Sequence, residues 1–245
     1  MKETIYTIPI NEALEKGDFC PFCGMYEELE QEAVRYAVGA AMMEPDFRAI
    51  TNEKGFCKKH MRDLNAQSKA LALALVFDTH LDNIEKIMSN DLTGEKKGLF
   101  KKGDDAGEKY LSELKHVTES CTICARIENT FLRYMENFVY MLKKEPEFLN
   151  KVLSCDGFCM EHFYMLFETA KKELSATDFE KYFVPIAKHQ KKRVEKYHQY
   201  IKTFVESFDY NNAGKPMDAP KDTLIKTSFL LNGEFKPKEK KLDDI

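Results

Sequence analysis

The 245-residue chain has no tryptophan, only six histidines, and no apolar stretch long enough to span a bilayer. Its most hydrophobic run, ALALALVF at residues 70–77, falls far short of the roughly 20 residues a spanning helix needs. The first residues, MKETIYTIPINEALEKGDFC, lack an apolar secretory h-region, so a cytoplasmic location is expected. The chain also lacks a dominant sign of charge. Lys and Arg total 37 against 41 Asp and Glu, giving a net charge of −4 and a pI near 5.9. That balance gives no general electrostatic pull toward nucleic acid or acidic membranes. Lys-Lys pairs recur, but most have acids nearby and read as solvated helix faces. Neither a Gly-rich phosphate loop nor a nucleophile elbow nor a serine-triad motif is present.

Cysteine, in contrast, is present and patterned. Six of the seven cysteines fall in two sets: Cys20, Cys23, Cys57 and Cys121, Cys124, Cys159. In a reducing compartment such patterns point to metal or redox chemistry rather than to disulfides.

The two sets belong to an internal repeat. Shifting residues 20–50 forward by 101 places CPFC on CTIC, Glu27 on Glu128, Val38 on Val139 and EPDF (44–47) on EPEF (145–148). With one inserted residue, GFCKKH (55–60) falls on GFCMEH (157–162) and Leu64 on Leu166. The ligand spacing is C-x2-C-x33-C-x2-H in the first copy and C-x2-C-x34-C-x2-H in the second. The implied organisation is a first repeat at 1–90, a charged, Gly-rich linker at 91–107, a second repeat at 108–210, and a tail at 211–245.

Periodicity predicts an all-α fold of two pseudo-repeats. Tyr26, Leu29, Ala33, Tyr36, Ala40 and Met43 form a 3-4 stripe over residues 24–43, and Ile127, Phe131, Tyr134, Phe138 and Met141 form its counterpart. Pro45 and Pro146 suit the first turn of a following helix, and Gly55 and Gly157 suit its end. One helix is expected from Cys57 to Met88, with ALALALVF central in the core. Others are expected from Cys159 to about Leu174 and from the Ser/Thr caps of SATDF to about Phe208. TIYTIPI (4–10) and TLIKTSFLL (223–231) are the strand-like exceptions, expected as short extended arms.

Cys and His are the ligands of structural zinc, which takes four of them as a tetrahedron. A C-x-x-C turn brings two thiolates to one ion, and C-x-x-H places its ligands on one helix face. The candidate ligands are Cys20, Cys23, Cys57 and His60 from the first copy and Cys121, Cys124, Cys159 and His162 from the second. Two zinc ions per chain are expected, in closed Cys3His shells that argue for structure over hydrolysis. Fe–S clusters fit a thiolate-imidazole set less well. The spacing leaves open whether ligands pair within a copy or across copies. Cys155 has no counterpart in the first copy and reads either as a small apolar residue or as a redox-active thiol. His80, His116, His189 and His198 have no partner at ligand spacing. Glu161 beside His162 is a poor candidate base, since Lys59 holds its place in the first copy.

YTIPINEA followed by CPFC and GFCKKH, then repeated as CTIC and GFCMEH, resembles an uncharacterised bacterial family that carries a domain-of-unknown-function label. Some of its members are automatically labelled as substrate-binding proteins of ABC transporters, which does not suit a chain without an export signal or lipoprotein cysteine. The resemblance implies no activity or substrate. The leading reading is a cytoplasmic zinc-binding helical protein that acts as an interaction or regulatory module with protein partners, without membrane or nucleic-acid binding. The alternatives are a thiol-based redox or metal sensor using the second site and Cys155, and a metal-dependent enzyme.

Overall fold

The structure, a computed structural model, describes residues 5–89, 106–209 and 219–233. Every regular element among them is helical. The order is α1 (Thr7–Lys16), α2 (Pro21–Ala37), a 3-10 turn (Ala40–Met43), α3 (Pro45–Lys54), α4 (Lys58–Ala66), α5 (Ala70–Met88) and α6 (Ala106–Glu119). There follow α7 (Thr122–Lys144), α8 (Phe148–Ser154), α9 (Met160–Glu173), α10 (Ala176–Asp178), a π turn (Phe179–Phe183), α11 (Val184–Glu206) and α12 (Thr223–Asn232).

These elements form two compact units, one of them discontinuous in the chain. One comprises Met1–Glu27 with Phe131–Ile245, the other Glu28–Thr130. Each unit therefore draws on both sequence copies, in place of the division at the 91–107 linker that the sequence suggests. Most of that linker, like residues 210–218 and 234–245, lies outside the described residues.

The first unit is built around phenylalanine. Phe22 lies 5.9 Å from Phe131, 5.1 Å from Phe138 and 5.3 Å from Phe158 between ring centroids, and Phe138 meets Phe148 at 5.1 Å. All five rings are buried. Tilted and edge-on pairs add about 0.5–1.5 kcal/mol each beyond area burial, so this cluster fixes α2, α7, α8 and the loop before α9 against one another. The second unit packs smaller residues: Ala33, Val34, Ala37, Leu64, Leu73, Val76 and Ile127 are all buried.

The second-copy stripe from Ile127 to Met141 is buried throughout. Of the first-copy stripe only Ala33 is buried: Tyr26, Leu29 and Tyr36 are half-buried and Ala40 and Met43 exposed. The buried face runs instead through Phe22, Met25, Val34, Ala37 and Val38, because α2 ends at Ala37 and a 3-10 turn follows. Pro45 opens α3 at its first position, where its missing N–H costs nothing. Gly55 and Gly157 adopt positive φ, +65° and +112°, where side chains are strained.

Three expectations are corrected. Both arms are helices: α1 buries Thr7, Ile10 and Ala13, and α12 buries Thr223 and Leu230. Spacings of three and seven put those residues on one helical face, whereas a strand alternates by two. The run from Cys57 to Met88 is two helices, parted at Gln67–Lys69 where Ser68 turns left-handed. ALALALVF buries only one face, through Ala72, Leu73 and Val76, while Leu71 stays exposed.

Candidate metal centres

Each centre is assembled from two helix N-termini. Cys20 and Cys121 immediately precede α2 and α7, and Cys57 and Cys159 are the N-caps of α4 and α9. The second residue of each motif lies three positions on, in the first turn of the same helix. That spacing aims both donors one way and lets the cap sulfur accept the backbone N–H of its partner. Cys121 Sγ receives the Cys124 N–H and Cys159 Sγ the His162 N–H, each at 3.5 Å. Helix N-termini also favour thiolates through their unpaired N–H groups and dipole.

The structure brings together all eight sequence-predicted ligands, and it pairs them across the copies. Centre 1 consists of Cys20, Cys23, Cys159 and His162; centre 2 consists of Cys57, His60, Cys121 and Cys124. Within each centre every donor atom lies within 4.8 Å of the others. In centre 1, His162 Nδ1 is 3.2 Å from Cys159 Sγ, 3.4 Å from Cys23 Sγ and 3.6 Å from Cys20 Sγ, and the Cys23 and Cys159 sulfurs are 3.8 Å apart. In centre 2, His60 Nδ1 is 3.3 Å from each of Cys57, Cys121 and Cys124, and the Cys57 and Cys124 sulfurs are 3.9 Å apart. All seven cysteines are free thiols.

These spacings match one tetrahedral ion. Bonds of about 2.3 Å to sulfur and about 2.0 Å to nitrogen give tetrahedral edges of about 3.8 Å between sulfurs and about 3.5 Å between sulfur and nitrogen. An iron–sulfur cluster spreads its thiolates over several irons, whereas donors this close suit a single ion. Of the two pairings the spacing left open, the clusters follow the one across copies.

The donors share protons unequally. In centre 2, burial pushes the Cys121 thiol up, but hydrogen bonds from His60 and from backbone N–H groups outweigh it and bring it down to about 6. Burial pushes His60 down, yet the bonds to Cys121 and Glu30 raise it to about 10. In centre 1, hydrogen bonds from Cys20 and Cys23 hold Cys159 far below the usual thiol range. His162, lowered by burial, is raised by Cys159 and Cys20 to about 10. A divalent cation replaces the shared protons in such a cluster.

Residues outside the motifs hold the ligand loops. In centre 1, α11 supplies two of them. Gln190 grips the Phe158 backbone, accepting its N–H at 3.0 Å and donating to its carbonyl at 2.8 Å. Arg193 donates to the Phe19 carbonyl at 2.6 Å. Gly233, at the end of α12, closes over the sulfurs: a Cβ there would sit 3.6 Å from both Cys23 and Cys159. In centre 2, the Thr122 N–H bonds the Gly55 carbonyl at 2.9 Å and Ser120 bonds the Lys54 carbonyl at 2.7 Å, stitching the two ligand segments together. His60 Nε2 meets Glu30 Oε1 at 3.0 Å, and Lys59 pairs with the same carboxylate. No spacing rule pointed to Glu30, Gln190, Arg193 or Gly233, since each reaches its centre only through the fold.

The chain belongs to DUF6062, a family of unknown function, which matches residues 1–238. No curated protein and no solved structure matches the chain. The remaining sequence candidates fall outside both centres. Cys155 donates to the Val152 carbonyl at 3.0 Å, and burial raises its thiol, the opposite of what a reactive cysteine needs. His189 holds the Cys155 carbonyl, His80 the Asn52 carbonyl, and His116 faces Glu53. Glu161 is exposed on the surface of α9. No described helix is long and apolar enough to cross a membrane.

Proposed function

We propose that this DUF6062 chain is a zinc-binding helical protein whose two Cys3His centres are structural, and that it acts as an interaction or regulatory module with protein partners in the cytoplasm. The observation that carries the reading is the set of four donors at tetrahedral spacing in each of two places. Three thiolates and one imidazole complete the shell of a zinc ion and leave no position for substrate or water, which separates structural from catalytic zinc. The thiolate content favours zinc over calcium, magnesium or manganese. Each ion joins two helix N-termini that are far apart in sequence, so its binding energy becomes folding energy.

Elemental analysis of protein purified without chelator tests this directly. The expected result is two zinc per chain and a large drop in melting temperature after chelation. A metal content near zero, with an unchanged melting temperature, would sink the reading.

A further inference from the structure

We infer that Arg193 is the buried counter-cation of centre 1, offsetting the net negative charge that three thiolates and a neutral imidazole leave on a divalent ion. The inference rests on the Cys3His reading of that centre. Arg193 is only 5% exposed, yet its Nε and Nη1 have no hydrogen-bond partner. None of the ion pairs among the described residues includes it. A buried, unpaired guanidinium is costly unless an anion lies close by.

Its position puts it beside centre 1. Nη2 bonds the carbonyl of Phe19, the residue just before Cys20, and the guanidinium carbon lies 3.8 Å over the Phe19 ring. On the other side, a Cβ on Gly157, two residues before Cys159, would come within 3.2 Å of Nη1. Arg193 therefore sits between the two loops that carry the ligands of centre 1. Burial works against its charge, and Asp156 and then Cys20 are the groups that favour it most. Asp156 is solvent-exposed, where water screens its field, whereas Cys20 is buried. A cation here stabilises the metal-bound thiolates and lowers their reactivity toward electrophiles.

The test is the rate at which iodoacetamide alkylates each cysteine of the zinc-loaded full chain, resolved by peptide mass spectrometry. R193Q keeps a donor for the Phe19 carbonyl but loses the charge, and R193K keeps the charge. R193Q should speed alkylation of Cys20, Cys23 and Cys159 about tenfold, the low end of what outer-shell groups contribute at metal sites. Cys57, Cys121 and Cys124 should react at unchanged rates, and R193K should stay close to wild type throughout. R193Q rates equal to wild type, with both zinc ions bound, would overturn the inference alone. So would R193K rates about tenfold above wild type, a result that stands even if R193Q does not fold. D156N should not speed alkylation; an acceleration there equal to that of R193Q would show that disturbing the loop before Cys159, rather than losing the Arg193 charge, exposes the thiolates, and would overturn the inference. Absence of zinc from the wild-type chain would overturn the Cys3His reading together with it.

Discussion

The two centres share a ligand set and differ in what stands behind the histidine. Behind His60 is Glu30, itself paired with Lys59. Behind His162 are rings: Phe131 at 5.1 Å, Phe22 at 6.0 Å and Tyr26 at 6.4 Å. The sequence repeat places Glu30 on Phe131 and Lys59 on Glu161, so both members of the Glu30–Lys59 pair change together. A carboxylate behind a metal-bound imidazole fixes its tautomer and raises its basicity. A ring cage fixes the imidazole by packing and keeps water out. Centre 1 adds Arg193 and the covering Gly233, which leaves it the more enclosed of the two. One ligand motif thus sits in two electrostatic settings, its imidazole backed by a carboxylate in centre 2 and by aromatic rings in centre 1.

The strongest way to break this comparison is to remove ligands in pairs. Cys20→Ser with Cys159→Ser should cost one zinc, because both cysteines serve centre 1. Cys20→Ser with Cys57→Ser should cost both, because they serve different centres. Pairing within each copy predicts the reverse, and zinc counts on the two double variants decide between them. Each lost ion should also unfold or severely destabilise its unit, since structural zinc contributes on the order of 10 kcal/mol to folding in small zinc domains.

Acid should separate the centres next. Cys121 is lowered from 9.0 to about 6. A depressed thiol contributes its stability fully above 9.0 and loses it as pH falls through about 6. In centre 1 the hydrogen bonds that hold Cys159 low raise Cys23 in exchange, so the enclosure of centre 1 by rings decides the order, and centre 2 should release zinc first as pH falls. Titration with a chromophoric chelator, with the emptied thiols mapped by alkylation, checks the order. Release from centre 1 at the higher pH would reverse the comparison.

The smallest effect should come from the group behind the imidazole. Glu30→Gln keeps the shape and removes the charge. It should weaken zinc at centre 2 by about tenfold to a hundredfold, or about 1.4–2.7 kcal/mol, and leave centre 1 unchanged. Competition with a calibrated chelator measures both affinities in one experiment. A uniform loss at both centres would mean that Glu30 acts on the fold rather than on His60.

The ligands were legible because their geometry is local. A cap residue and the residue three positions on share a helix face whatever the rest of the chain does, so CxxC and CxxH could be read directly. The second-copy stripe from Ile127 to Met141 was legible for the same reason: its 3-4 spacing reports one buried face. TIYTIPI and TLIKTSFLL misled because short apolar segments carry too few residues to separate a period of two from one of 3.6. ALALALVF misled because a uniformly apolar run does not say which of its faces is covered. Glu30, Gln190 and Arg193 had no sequence signal, since their partners come from segments distant in the chain.

What the sequence by itself determined is the identity of eight donors, the helices that aim them in pairs, and the doubling of the pattern. Only the tertiary structure decided which pair meets which. Chain entropy is nearly indifferent to that choice. Closing Cys23 onto Cys159 spans 136 residues and Cys57 onto Cys124 spans 67, against 34 from Cys23 to Cys57 and 35 from Cys124 to Cys159. Each doubling of a loop costs only about 0.6 kcal/mol. The longer closures therefore add only about 2 kcal/mol in all, and packing outweighs that. Phe22, one residue before Cys23, lies among Phe131, Phe138 and Phe158, and this core carries the first CxxC to the second CxxH.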